Sequence, residues 1–164
     1  MENKGSIIRQ TVVITFVSTL IFSFLLFYGG CRGMYSYIES RRDCRSMNVD
    51  NYEVRTHTDI PSPKETLYCN YDAAKGVKSS IFQLKLTEKK LRSSIAYDGL
   101  KKISECNLPV FRYNPEWNDS ISKLPQHHIY ATSGSYKEDS WIYVLDSANQ
   151  TMWAELVEDL NYKD

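Results

Sequence analysis

Neither sign of charge is in excess in this sequence: Lys plus Arg and Asp plus Glu stand at 20 each, which removes the broad attraction to nucleic acid that a basic surplus would give. Phosphate-binding glycine patterns are missing as well. With no GxGxxG and no GxxxxGK[ST] stretch, nucleotide binding has no local support. Cysteine occurs without CxxC or other zinc spacing, so neither a metal site nor any other cofactor is expected. The G-x-S-x-G frame of a hydrolase elbow is absent, and Ser133-Gly134-Ser135 reads instead as a turn between strands. Internal repeats and low-complexity tracts are lacking too. With 164 residues the chain holds one ordinary domain and an appendage.

The appendage is what the charged residues avoid. From Gln10 to Cys31 no charged side chain occurs, and these 22 residues, read as a helix, span about 33 Å, enough for a hydrocarbon core of about 30 Å. The hydroxyls of Thr11, Thr15, Ser18, Thr19 and Ser23 are tolerated there because they bond back to carbonyls one turn earlier. Tyr28 suits the interface, and Gly29-Gly30 closes the apolar run. The reading is a transmembrane helix over 10–31, after a tail of 1–9 and before a juxtamembrane segment of 32–50, in which the helix continues for a few turns before Cys44. Gly29-Gly30-Cys31 also looks like the cleavage site of a bacterial lipoprotein, although Tyr28 stands where such signals usually carry an aliphatic residue. A lipoprotein-like structural component is therefore an alternative.

Orientation is contested within the sequence. Lys4 and Arg9 precede the helix while Arg32, Arg41, Arg42 and Arg45 follow it, which by the positive-inside rule keeps the C-terminal part in the cytoplasm. Cys44, Cys69 and Cys106 argue the other way, because a small domain gains most from a cross-link in an oxidising compartment. The expectation is a bridge, with Cys44–Cys69 favoured for its shorter loop. The domain is then extracytoplasmic, on the outer (periplasmic) side of the inner, cytoplasmic membrane of a bacterium.

The soluble part, 51–164, reads as α+β: an antiparallel sheet with one main helix on a face. Strands are expected at Tyr52–Thr56, Thr66–Tyr71 and Ile81–Leu86, broken by Pro61-Ser62-Pro63 and by a turn around Gly76. Thr87-Glu88 opens the main helix, with Leu91, Ile95 and Ile103 near helical spacing and Gly99 as a weak point. A short strand at Val110–Tyr113 and a loop from Asn114 to Pro125 follow. Ile129–Ser135, Trp141–Asp146 and Thr151–Val157 form a meander of aromatic and β-branched strands, with a helix over Ala154–Leu160 as the other reading.

Candidate chemistry is thin. His127 and His128 sit ahead of a strand, where adjacent residues point to opposite faces and do not share a metal. Glu155, Glu158 and Asp159 read as a solvated terminal face. Asn118-Asp119-Ser120 and Asn149-Gln150-Thr151 match the glycosylation acceptor pattern, which matters only in a eukaryotic setting.

Aromatic residues make up 13% of the chain, and this excess suggests an interface built from Trp141, Tyr143, Tyr130, Trp153 and Tyr136. The functional expectation is a non-enzymatic, membrane-anchored domain that binds another protein, as an inhibitor, an immunity factor or an accessory subunit of an envelope complex. It would touch lipid through 10–31 and not bind nucleic acid. The competing expectation is a small membrane-tethered hydrolase or transferase using His127 or His128, which requires a pocket that brings those side chains together.

Overall fold

The computed structural model describes residues 4–42, 44, 47–97, 99–105 and 111–158. The chain divides into two compact units, Met1–Glu39 and Ser40–Asp164. The first is a helix, α1, which runs from Lys4 to Ser40 without a break at Gly29, Gly30 or Cys31. Its segment Thr11–Ser40 is long and apolar enough to cross a membrane, and no residue of its most apolar 18-residue stretch is buried against protein.

The second unit is α+β. Its helices are α2 (Asn48–Thr56), α3 (Glu88–Tyr97) and α4 (Pro115–Ser122). Its strands are β1 (Pro63–Asp72), β2 (Val77–Leu84), β3 (Lys101–Lys102), β4 (Ile129–Tyr136), β5 (Asp139–Asp146) and β6 (Thr151–Val157). They form one antiparallel sheet in the order β1-β2-β6-β5-β4-β3, so the first hairpin joins the C-terminal meander through β2 and β6. Local chemistry sets the turns. Asp72 Oδ1 accepts from the backbone N–H of Ala74 and Lys75, and Asp146 Oδ1 from those of Ala148 and Asn149, so each strand end folds over onto its own side chain. Lys137, at φ 52°, gives the two-residue β4–β5 connection the left-handed backbone that such hairpins favour.

Helices cover both faces of the sheet rather than one. On the first face, Phe82, Leu84, Trp141, Tyr143, Leu145, Met152, Ala154 and Leu156 pack with Tyr52 of α2, and Leu91 and Ile95 of α3 join them. On the second, Ile129, Ala131 and Val144 pack with Phe111 and with Trp117 and Ile121 of α4. Two-sided burial explains why β2 shows little alternation: Val77, Lys78, Ser79 and Ser80 are all buried in succession.

Several sequence expectations change here. Tyr52–Thr56 is helix, not strand. The face of α2 that goes under is Asn48, Asn51, Tyr52 and Thr56, helical in spacing but mostly polar, so no apolar period announced it. Those polar groups are satisfied inside: the Tyr52 hydroxyl donates to Ser80 Oγ at 3.2 Å, Lys78 Nζ to Asn51 Oδ1 at 2.9 Å, and Thr56 and Tyr143 share a hydroxyl bond of 2.9 Å. The loop expected over Asn114–Pro125 contains α4, which Pro115 starts at a position where its missing N–H is harmless, and which buries Trp117 and Ile121 one turn apart.

Further along the same stretch, α3 ends before Gly99, at φ 64°, and Ile103 belongs to the opposite core cluster. Residues 111–113 are not strand, and Val110 lies outside the described residues. Ala154 to Val157 is strand because it fills the sheet centre between β2 and β5.

Candidate binding cleft and buried carboxylates

Cys44 and Cys69 are joined by a disulfide that ties the segment after α1 to edge strand β1. The compact unit accordingly begins before residue 51, and Arg42 belongs to it as well. Cys31 is an exposed free thiol on α1, and Cys106 lies outside the described residues.

Beside this link lies an ionic cluster. Arg55 of α2 donates from Nε and Nη2 to the two carboxylate oxygens of Asp139, at 2.8 and 3.0 Å, and from Nη1 to Glu158 Oε1 at 2.9 Å. The other oxygen of Glu158 accepts from Arg42 Nε at 2.8 Å and from the Tyr71 hydroxyl at 3.2 Å. Burial raises the pKa of Tyr71, with the Glu158 charge adding to the shift. Glu158 is therefore a buried hub linking α2, β1 and the end of β6, not part of a solvated terminal face.

Glu155 departs from that expectation in the same way. Its side chain lies on the second face of the sheet, 1% exposed, where Oε1 accepts the Arg112 N–H at 3.2 Å and Oε2 accepts Asn114 Nδ2 at 2.6 Å. Burial pushes its carboxyl above the usual range, while Asn114 and the backbone N–H groups of Arg112 and Tyr113 pull the other way. Asp159 lies outside the described residues.

Next to Glu155 the second face opens into a cleft of about 570 Å³. Its floor is the far end of β4 and the strands beside it, with Ser133, Ser135, Ser140, Ile142 and Val157, and Arg112 and Tyr113 stand at its margin. Ser133, Ser135, Ser140, Arg112 and Tyr113 are all exposed. Ser133-Gly134-Ser135 is thus mid-strand rather than a turn, and the glycine has a packing reason: the indole of Trp141 sits directly over it.

The aromatic residues singled out from the sequence are placed differently from an exposed interface. Tyr143 is fully buried and Trp141 is 9% exposed, and their rings stack at 4.8 Å in the first core cluster. Both are core, because sheet and α2 close over them. Tyr130 is half-buried on the same cluster, whereas Trp153 is half-buried on the opposite one, so the four share no face. Tyr136 alone of the group is exposed, with its ring 3.9 Å from that of His57.

His127 and His128 occupy a single 3-10 turn before β4, with ring centroids 4.0 Å apart. Neither lines the cleft. They stand at the start of β4, and reaching Gly134 from His128 takes about 20 Å of extended chain. Among the described residues no group of three or more His, Cys, Asp or Glu side chains is placed to hold a metal ion. Asn118 clamps Phe111 through paired bonds to its backbone N–H and C=O, both at 3.0 Å, so its amide already has a structural task. The residues that sequence reasoning missed are Arg112, Tyr113, Ser133, Ser135 and Ser140; only the fold brings them together.

Comparison with known protein families, with curated proteins and with solved structures finds no match to this chain.

Proposed function

We propose that this protein is a single-pass, membrane-tethered binding domain held on the outer side of the cytoplasmic membrane, and that its ligand is another protein. The cleft carries this reading. It combines exposed hydroxyls, the guanidinium of Arg112, the phenol of exposed Tyr113 and the aliphatic side chains of Ile142 and Val157, which together offer recognition groups around an apolar patch. The disulfide supports the outer location, since such bonds persist in oxidising compartments, and α1 supports the tether.

A hydrolase or transferase built on His127 or His128 has less to recommend it, because this cleft does not contain them. The test places a photoreactive amino acid at Tyr113 in the full-length protein in its native membrane, with the same group at His127 as control. A discrete protein adduct from position 113 and not from 127 is expected. No adduct at 113, or equal adducts at both, would refute the proposal.

A further inference from the structure

The sheet has two outer edges, and the chain treats them differently. β1 is long but guarded: Pro63 begins it, Lys64 and Glu65 follow, and its pairing with β2 is interrupted by register shifts at Pro63/Glu65 and Thr66/Tyr68. Proline, charge and bulges are the usual devices that stop a foreign strand from adding to an edge. On the other side, β3 shields β4 only at Tyr130 and Ala131. Beyond that point β4 reads Thr132-Ser133-Gly134-Ser135-Tyr136, regular in register, without proline or charge.

The direction of its backbone groups follows from the ladder. His128 accepts from the N–H of Ser147, and bonded and non-bonded pairs alternate along an antiparallel ladder, so even-numbered residues of β4 exchange bonds with β5. The N–H and C=O of Ser133 and Ser135 therefore point outward, on the side where Ala131 meets Lys101. Among the described residues nothing bonds to them.

We infer that this open edge accepts an extended, acidic segment of a partner protein as an added strand; the inference rests on the protein-binding reading above and specifies its mode. A row of outward N–H and C=O groups matches only another extended backbone. The side chains of Ser133 and Ser135 face the cleft, so alternate side chains of the added strand lie over it. A second copy of β4 would place only serines there, too small to fill about 570 Å³. Charge indicates the acidic character: exposed Lys101 lies at one end of this stretch and exposed Arg112 at the cleft margin, while Asp139 is held by Arg55 and Glu155 by Asn114.

The experiment pans phage-displayed random heptapeptides against the full chain in lipid nanodiscs and measures the affinity of enriched peptides for the parent and for Ser135→Pro. That proline removes one outward N–H and leaves the β4–β5 bonds in place. Enriched peptides should carry Asp or Glu, bind about tenfold more weakly to Ser135→Pro, and slow amide exchange at Ser133 and Ser135. Arg112→Glu, an exposed change outside the ladder, should also weaken them, which keeps the test valid if the proline variant melts early. No enrichment, basic peptides, or binding to Ser135→Pro and Arg112→Glu as tight as to the parent would overturn the inference. A dimer of the parent that Ser135→Pro abolishes would overturn it in favour of self-pairing. If the Tyr113 adduct forms undiminished in Ser135→Pro, the binding role stands and the added strand fails.

Discussion

Trp141 lies on Gly134 across the β4–β5 ladder, so close that a Cβ on the glycine would meet the indole Cζ2 at 2.6 Å. The ring is stacked on Tyr143 and has little room to withdraw. Gly134→Ala is expected to destabilise the domain by about 1–3 kcal/mol through overpacking, and Trp141→Ala by about 3–5 kcal/mol through the cavity it leaves. In the Trp141→Ala background the alanine at 134 should be nearly neutral, since the ring it strikes is gone. Thermal melts of the four proteins decide this; additive losses would show that the contact is not what excludes a side chain at 134.

The Cys44–Cys69 bridge closes a separation of 25 residues. Replacing both cysteines with serine should reduce stability by about 3 kcal/mol, mainly by freeing the unfolded chain. Alkylation of unreduced protein followed by mass spectrometry should leave Cys44 and Cys69 unlabelled. Labelling of both would remove the bridge and, with it, the main support for an outer location.

Glu53, half-buried on α2, accepts the Ile60 N–H at 2.8 Å. Burial, together with Asp59 and Asp50, raises its pKa to about 7 from an ordinary 4.5. The folded state then holds this proton more tightly than the unfolded one, so the associated stability is complete below about pH 4.5 and is lost as pH climbs through about 7. The whole effect is at most about 3 kcal/mol and is reduced by solvent screening of the half-buried group. Glu53→Gln should melt higher than the parent at pH 8 and show a shallower decline from pH 5; some slope persists because Glu155 is shifted in the same direction. Identical slopes in the two proteins would rule out Glu53 as the titrating group.

Arg55 serves Asp139 and Glu158 at once, with its side chain 10% exposed. Truncation to Ala should destabilise by about 3 kcal/mol, at the low end for a broken buried pair because Arg42 still faces Glu158. Arg55→Lys should recover only part of this, since an ammonium lacks the fork that engages both Asp139 oxygens. Equal stability of the Ala, Lys and parent proteins in urea titration would mean that the network contributes nothing net.

A chain beginning at Ser40 should be soluble without detergent and keep the parent's melting behaviour, because the compact unit starts there and α1 lies outside it. Aggregation of that truncation, or a large fall in its melting temperature, would make α1 part of the fold.

How far the sequence reached follows from what each pattern depends on. Strands β4, β5 and β6 were readable from runs such as Trp141–Leu145, since aromatic and β-branched residues fit a pleated, packed surface. The turns announced themselves through Asp72, Gly76 and the Ser147–Gln150 stretch, and α1 through its uninterrupted apolar run. These signals are local, carried by residues near each other in the chain, and α+β architecture followed from them.

Only tertiary structure decided that α2 is a helix, because its buried face carries Asn48, Asn51 and Thr56, whose burial is favourable only where Lys78, Ser80 and Tyr143 satisfy them. Likewise it decided that Glu155 and Glu158 go under, since their donors, Asn114 and Arg55, lie 41 and 103 residues away in sequence. The cleft and the stretch of β4 that no described residue pairs depend on the pairing of β2 with β6 and on β3 meeting β4 only at Tyr130 and Ala131, relations between distant segments that no local period encodes.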